Sequence, residues 1–255
     1  MTPKQALGSS SPPPAVFRGR SRQLVLLTAG LVLSGSIHAL TFVTESYPPL
    51  NFLADDGRTI IGSSSDTLRE MASRAGLEAS IELYPWQRAY RMAQSDPDVC
   101  VFTTARIEAR EALFQWVGPL TTARWTLYAR GNSPLPPANS LDELKRFIVG
   151  RYQDDAKGTF LKQKGFTLDD ARNEEQSLKK LESGRVDLWA ASSDSGPWHA
   201  ARLKIAIKPI FVFGEVEMYL ACHPAMPQTL IDRMNVTLKG MRSDGTLQRL
   251  IDAYK

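Results

Sequence analysis

The chain has 255 residues, with 31 Lys and Arg against 27 Asp and Glu and 43% hydrophobic residues. Its positive excess is confined to the first 39 residues, which hold Lys4, Arg18, Arg20 and Arg22 and no acid, so residues 40–255 balance at 27 basic and 27 acidic. That balance leaves no basic surface to argue for a nucleic acid or an acidic membrane as partner.

In chain order, Arg18, Arg20 and Arg22 precede an apolar run, Leu24–Leu33, which gives way to Ser34-Gly35-Ser36-Ile37-His38-Ala39. Basic, then apolar, then small is the layout of a secretory leader, with cleavage expected after Ala39. The run falls short of the ~20 apolar residues that span a bilayer. Residues 1–39 are therefore expected to be a signal peptide and the rest of the chain to be exported to the periplasm.

Leu40–Thr44 reads as a strand that Pro48 and Pro49 stop. A short strand at Asn51–Leu53, a helix through Leu68, Met71 and Ala72 stopped at Gly76, and an alternating strand over Leu77–Tyr84 follow. Trp86–Met92 reads as a helix and the apolar run Val99–Phe102 as a buried strand. Beyond Trp125–Ala129, Ser140 and Glu143 form a capping-box pair that predicts a helix over Leu141–Phe147. A second alternation then begins: strand Ile148–Gly150, helices Ala156–Lys164 and Ser177–Glu182, and strand Val186–Ala190. It closes with strands at Ile205–Ile207 and Ile210–Phe213. Strand Met218–Cys222 and helices Pro227–Met241 and Leu247–Tyr254 end the chain. Two α/β units, with the chain end left to return to the first, fit a two-lobed clamshell.

The two cysteines, Cys100 and Cys222, both lie in apolar runs. They either pair, as an oxidising compartment favours, or remain buried thiols. Their separation excludes a multi-cysteine zinc motif, and no metal or cofactor is expected.

The chemistry concentrates between Thr103 and Leu120. Two hydroxyls, Thr103 and Thr104, end a strand, and Arg106 and Arg110 follow on a turn. A guanidinium presents a planar fork of donors that matches a carboxylate bidentately. Each arginine taken alone is equally compatible with a solvated turn.

This segment, with Trp116-Val117-Gly118-Pro119-Leu120 after it, resembles the type 3 periplasmic solute-binding proteins, the polar amino-acid-binding family. So do Tyr47-Pro48-Pro49-Leu50-Asn51-Phe52, Gly184-Arg185-Val186-Asp187 and Ser243-Asp244-Gly245-Thr246, in that order. The resemblance implies a type II clamshell in which each lobe is a mostly parallel sheet flanked by helices. It implies one lobe from residues 40–124 and 219–255, and a second from 125–218. Its ligand cleft would be lined by Tyr47, Trp86, Thr103, Thr104 and Arg110, with Arg110 at the carboxylate-binding position. From the second lobe, Asp155 and Asp194 are candidates. Asp155 opens a helix where family members hold the carboxylate with Ser or Thr, and it either caps that helix or points into the cleft and favours a cation. The aspartate that family members use for the α-ammonium aligns with Ser192, and Asp194 lies two residues on.

The implied function is that of a monomeric, non-enzymatic receptor. It would deliver a small polar solute, an amino acid or related carboxylate or amine, to an inner-membrane ABC permease. The alternatives are a cleft enzyme of the cyclohexadienyl dehydratase type, for which Asp155, Asp194 and Glu45 are conceivable acids, and a periplasmic ligand-sensing module.

Overall fold

Burial along the strands organises the molecule. In the computed structural model, residues 39–153 and 155–254 are described, with Met1, Thr2, Gly8 and Ser11. The basic and apolar parts of the expected leader lie outside the described residues. The first part of the chain forms β1 (Leu40–Thr44), β2 (Phe52–Leu53), β3 (Ile60–Ile61), α1 (Ser63–Ala75), β4 (Ala79–Leu83), α2 (Trp86–Ser95), β5 (Val99–Ala105) and the single turn α3 (Glu108–Glu111). A long strand, β6 (Gln115–Arg130), leads to β7 (Ile148–Tyr152), α4 (Ala156–Gln163), β8 (Thr167–Ala171), α5 (Glu174–Glu182), β9 (Leu188–Ser192) and α6 (Ser195–Leu203). A second long strand, β10 (Ile207–Cys222), then precedes α7 (Gln228–Ser243) and α8 (Thr246–Asp252).

Eight strands form one curled sheet in the order β4-β1-β5-β10-β6-β9-β7-β8. At one end β1 pairs in parallel with β4 and β5, and at the other β7 pairs in parallel with β8 and β9. The antiparallel pair β6 and β10 runs through the middle and carries the chain across twice. Register shifts between Pro209 and Phe211, Val212 and Gly214, and Met218 and Leu220 interrupt that ladder, and such bulges bend and twist a strand pair.

Every residue of β5 and β9 is buried, as strands covered on both faces require. Separate apolar clusters flank each end of the sheet. Phe42, Leu68, Met71, Phe102 and Met234 pack on one face of the first end, and Val43, Ala89, Val101 and Phe114 on the other. Leu127, Val149, Leu161 and Leu188, with Leu178, Val186 and Trp189 opposite, do the same at the second end. A fifth cluster, Tyr47, Leu50, Ala105, Trp125, Val216 and Met218, lies between them. Gly62 sits at the N-terminus of α1 with φ +123, where a Cβ would fall 2.3 Å from the Leu50 carbonyl oxygen. No side chain fits that approach. Cys100 and Cys222 are register partners on β5 and β10 and form a disulfide.

Several sequence expectations change. The predicted helix over 141–147 is only a 3-10 turn, Asp142–Leu144. The Ser140–Glu143 contact is made, and Leu141, Leu144 and Phe147 pack on the core, but the turn stops at Leu144. The strands expected at 125–129, 210–213 and 218–222 belong to the two 16-residue strands β6 and β10, whereas of the one expected at 205–207 only Ile207 joins β10. Strand β8 and helix α6 were not expected. β8, with the sequence Thr-Leu-Asp-Asp-Ala, carries too few apolar residues to announce itself.

Candidate functional site

The C-terminal ends of the parallel strands from both halves meet around one small cavity of about 50 Å³. Open α/β sheets place their ligands beyond these strand ends. The first half contributes Thr44, Glu45 and Tyr47 after β1, Trp86 at the start of α2, Thr103 and Ala105 from β5, and Arg110 from α3. The second half contributes Asp155, Ala156 and Lys157 at the start of α4, and the crossing strands add Trp125 and Met218.

Thr103 is fixed by a buried polar chain. Its hydroxyl donates to Asn51 Oδ1 at 2.5 Å, Asn51 Nδ2 donates to Thr44 Oγ1 at 3.1 Å and to the Glu45 carbonyl at 2.7 Å, and Thr44 Oγ1 donates to the Phe102 carbonyl at 3.0 Å. Thr103 also holds φ +54. For a β-branched residue that conformation costs on the order of 1–3 kcal/mol, a kind of strain that clusters at functional sites.

Arg110 turns back from α3 into the cleft and is partly buried. Its guanidinium carbon lies 5.3 Å from the centroid of the Trp86 ring and 5.2 Å from that of Tyr90, within cation–π range. One nitrogen donates to the Ala105 carbonyl at 3.3 Å. Burial lowers its pKa, opposed by Tyr90 and by the more distant Asp155 and Glu45. Among the described residues it has no ion pair. Arg106 is committed elsewhere: it grips Glu111 with two nitrogens, at 2.8 and 2.5 Å, and lies over Trp116 and Tyr219.

Opposite Arg110 is a buried ionic cluster. Lys157 Nζ lies 2.7 Å from Asp155 Oδ2 and 3.4 Å from Glu174 Oε1. It also stands 5.7 Å from the centroid of the Tyr47 ring. Burial opposes the Lys157 charge, but Asp155, Tyr47 and Glu174 outweigh it and hold the ammonium well above its ordinary value. Asp155 Oδ1 caps α4 by accepting from the Gly158 amide at 2.6 Å. Glu174 Oε2 accepts from Trp189 Nε1 at 3.1 Å, and burial raises its pKa. Burial also pushes Glu45 up to about 8, against a hydrogen bond from the Tyr152 hydroxyl and the charge of Lys157. Tyr47 is pushed up to about 12 by burial, and its hydroxyl meets the Ser192 side chain.

Of the residues singled out from sequence, Tyr47, Trp86, Thr103, Arg110 and Asp155 line this cavity. Asp155 does both things considered for it, capping its helix and facing the cleft. Thr104 and Asp194 are not at the cavity. Thr104 is fully buried and its hydroxyl donates to the Val101 carbonyl. Asp194 is exposed at the start of α6 and lines a different groove, with Trp198 and Tyr254. Sequence reading missed Lys157, Trp125, Met218, Tyr152 and Glu174. A signal existed for Lys157, since a lysine in the first turn of a helix opposes the helix dipole and calls for a compensating acid. Among the described residues no group of three or more His, Cys, Asp and Glu is arranged to hold a metal ion.

Residues 40–255 match the model of the bacterial extracellular solute-binding proteins, family 3. No curated protein sequence matches. Among solved structures, a histidine kinase sensor domain with similarity to periplasmic binding proteins superposes with a TM-score of 0.78 at 18% identity, covering 85% of this chain and 95% of its own. The P235GK mutant of ArgBP from T. maritima gives 0.76 at 17% identity, covering 85% and 95%. The arginine-, lysine-, histidine-binding protein ArtJ from Geobacillus stearothermophilus gives 0.75 at 14% identity, covering 85% and 94%. These likenesses show the fold: a two-lobed periplasmic-binding-protein clamshell.

Proposed function

Since the chain belongs to the family 3 bacterial extracellular solute-binding proteins, we propose that it is a periplasmic receptor that closes on a small polar solute for an ABC importer. In this reading residues 1–39 are a cleaved leader. Residues 40–124 with 219–255 form one lobe, 125–218 form the other, and the antiparallel pair β6 and β10 is the hinge. The monomer captures the solute and presents its closed form to an inner-membrane permease, without chemistry of its own.

The observation that carries this reading is Arg110. It is a cation without an ion pair among the described residues, set against aromatic rings at a cavity whose walls come from both halves of the sheet. A guanidinium so placed suits the carboxylate of an amino acid or related solute. The ArgBP and ArtJ neighbours, which bind amino acids according to their names, support solutes of that size. Purified protein screened by thermal shift against amino acids, polyamines and small organic acids tests the reading. A true ligand at a hundredfold excess over Kd stabilises by ~2.7 kcal/mol, and a panel without any shift would count against it.

A second reading, a ligand-sensing module for a membrane partner, is favoured by the likeness to the histidine kinase sensor domain. Deleting a neighbouring permease gene distinguishes the two: uptake of the identified solute stops for an importer and continues for a sensor.

A further inference from the structure

Resting on the solute-binding reading above, we propose that Lys157 is a built-in cation that excludes amines from the cleft, so that the solute held by Arg110 is a carboxylate without an α-ammonium group.

The argument is one of which charges still need a partner. Among the described residues the carboxyl groups at the cavity wall are Glu45 and Asp155, and both already face a partner within the chain. Asp155 accepts the Gly158 amide on Oδ1, and its Oδ2, which accepts no hydrogen bond among the described residues, is ion-paired with the Lys157 ammonium 2.7 Å away. Glu45 receives the Tyr152 hydroxyl. Behind them, Glu174 is taken up by Lys157 and by the indole N–H of Trp189. Nearby, the Ser192 hydroxyl receives the Ser195 amide and meets Tyr47.

A solute ammonium would therefore have to displace Lys157 from Asp155 or remain unpaired. Either way it would stand beside a second ammonium, where like charges in a desolvated site repel strongly. Lys157 cannot easily step aside. It is 5% exposed and hemmed by Asp155, Glu174 and the Tyr47 ring. Glu45, with its pKa pushed up to about 8, is mostly neutral at pH 7 and offers no anion in compensation.

Arg110 presents the opposite case. A guanidinium has five donors, and among the described residues its acceptors are a single carbonyl at 3.3 Å and the Tyr90 hydroxyl. A partly desolvated cation of this kind is satisfied by a bidentate anion. Apart from the Thr44 and Thr103 hydroxyls, which are held in the Asn51 chain, the remaining walls, Tyr47, Trp86, Trp125, Ala105, Ala156 and Met218, are apolar or aromatic and suit a short hydrocarbon body.

The test uses matched pairs that differ only in the amine: propionate and L-alanine, 4-methylpentanoate and L-leucine, 3-phenylpropionate and L-phenylalanine, glutarate and L-glutamate. Calorimetry on the purified protein should find at least one amine-free acid that binds tenfold or more tighter than its amino acid. The double variant Lys157→Met with Glu174→Gln removes the cation and one acid together and leaves Asp155 open to an ammonium. It should narrow or invert that preference by at least tenfold, while Lys157→Arg should preserve it. Circular dichroism checks that each variant folds, and the wild-type comparison stands by itself if one does not. An amino acid that binds the wild type as tightly as its amine-free partner overturns the proposal and leaves the solute-binding reading intact. So does a preference that the double variant leaves unchanged. Absence of binding across all pairs, or affinities indifferent to Arg110→Ala, sinks the carboxylate-binding cleft along with the proposal.

Discussion

Closure of the cleft should be coupled to a proton on Glu45. The carboxyl is faced by Tyr152, Lys157, Glu174 and Asp155, all from the second half of the molecule, and burial among them raises its pKa from 4.5 to about 8. When the lobes part, Glu45 returns to water and to an ordinary carboxyl value. The closed form therefore takes up a proton between these two values. Its advantage is fully present below about pH 4.5 and is lost progressively as pH rises toward 8. One pKa unit corresponds to ~1.4 kcal/mol, so between pH 4.5 and 7 closure should weaken by at most about 3 kcal/mol, on the order of a hundredfold in affinity. The assay is calorimetry with an identified solute from pH 5.5 to 8, in buffers of different ionisation enthalpy, which counts the proton directly. Glu45→Gln keeps an acceptor for the Tyr152 hydroxyl and cannot titrate, so its affinity should be nearly flat over the same range. Wild-type affinity that does not change between pH 5.5 and 8, or a slope that Glu45→Gln shares, would refute the reasoning.

The remaining expectations are more direct. Arg110→Ala should weaken binding by well over tenfold, because truncating one partner of a desolvated charge pair costs ~2–5 kcal/mol, and Arg110→Lys should also bind poorly for want of the planar fork. Arg106→Ala, whose guanidinium is already held by Glu111, should leave affinity within about twofold, and calorimetry on the three variants compares them. Replacing both Cys100 and Cys222 with Ser should lower stability by ~2–5 kcal/mol, read as a lower denaturation midpoint that reductant no longer shifts. Mass spectrometry of the periplasmic fraction should find an N-terminus within a few residues of Leu40.

The α/β alternation was legible because buried parallel strands write themselves as apolar runs: Val99–Phe102 and Leu40–Thr44 could be read at sight. Where the apolar signal thins, as in β8, it was lost. The Arg110 segment was legible because hydroxyl, arginine and aromatic residues stand within a few positions of one another. Thr103 and Thr104 show the limit of such local reading. Neighbouring strand residues face opposite sides of a sheet, so a single cavity receives one of them, and sequence proximity does not say which. Asp194 lies elsewhere for a related reason: it begins α6, a helix the sequence pattern does not announce, and lines the groove with Trp198 and Tyr254.

Of the Lys157 cluster, the first-turn lysine signals a need for an acid, but which acid meets it could not be read. Lysine and glutamate almost never lie buried unless paired, so each taken singly counts as surface, and their pairing is a fact about space. Lys157 opens α4 and Glu174 opens α5, with β8 between them, and only the packing of those two helix starts against Tyr47 joins them. What the sequence determined by itself was the set of elements and the local chemistry each strand end can offer, because these follow from periodicity and residue type. What only the tertiary structure decided was which charges are already neutralised inside the cleft and which still await a partner. That balance is set by distances of a few ångströms between segments remote in the chain, where desolvation makes each pairing decisive.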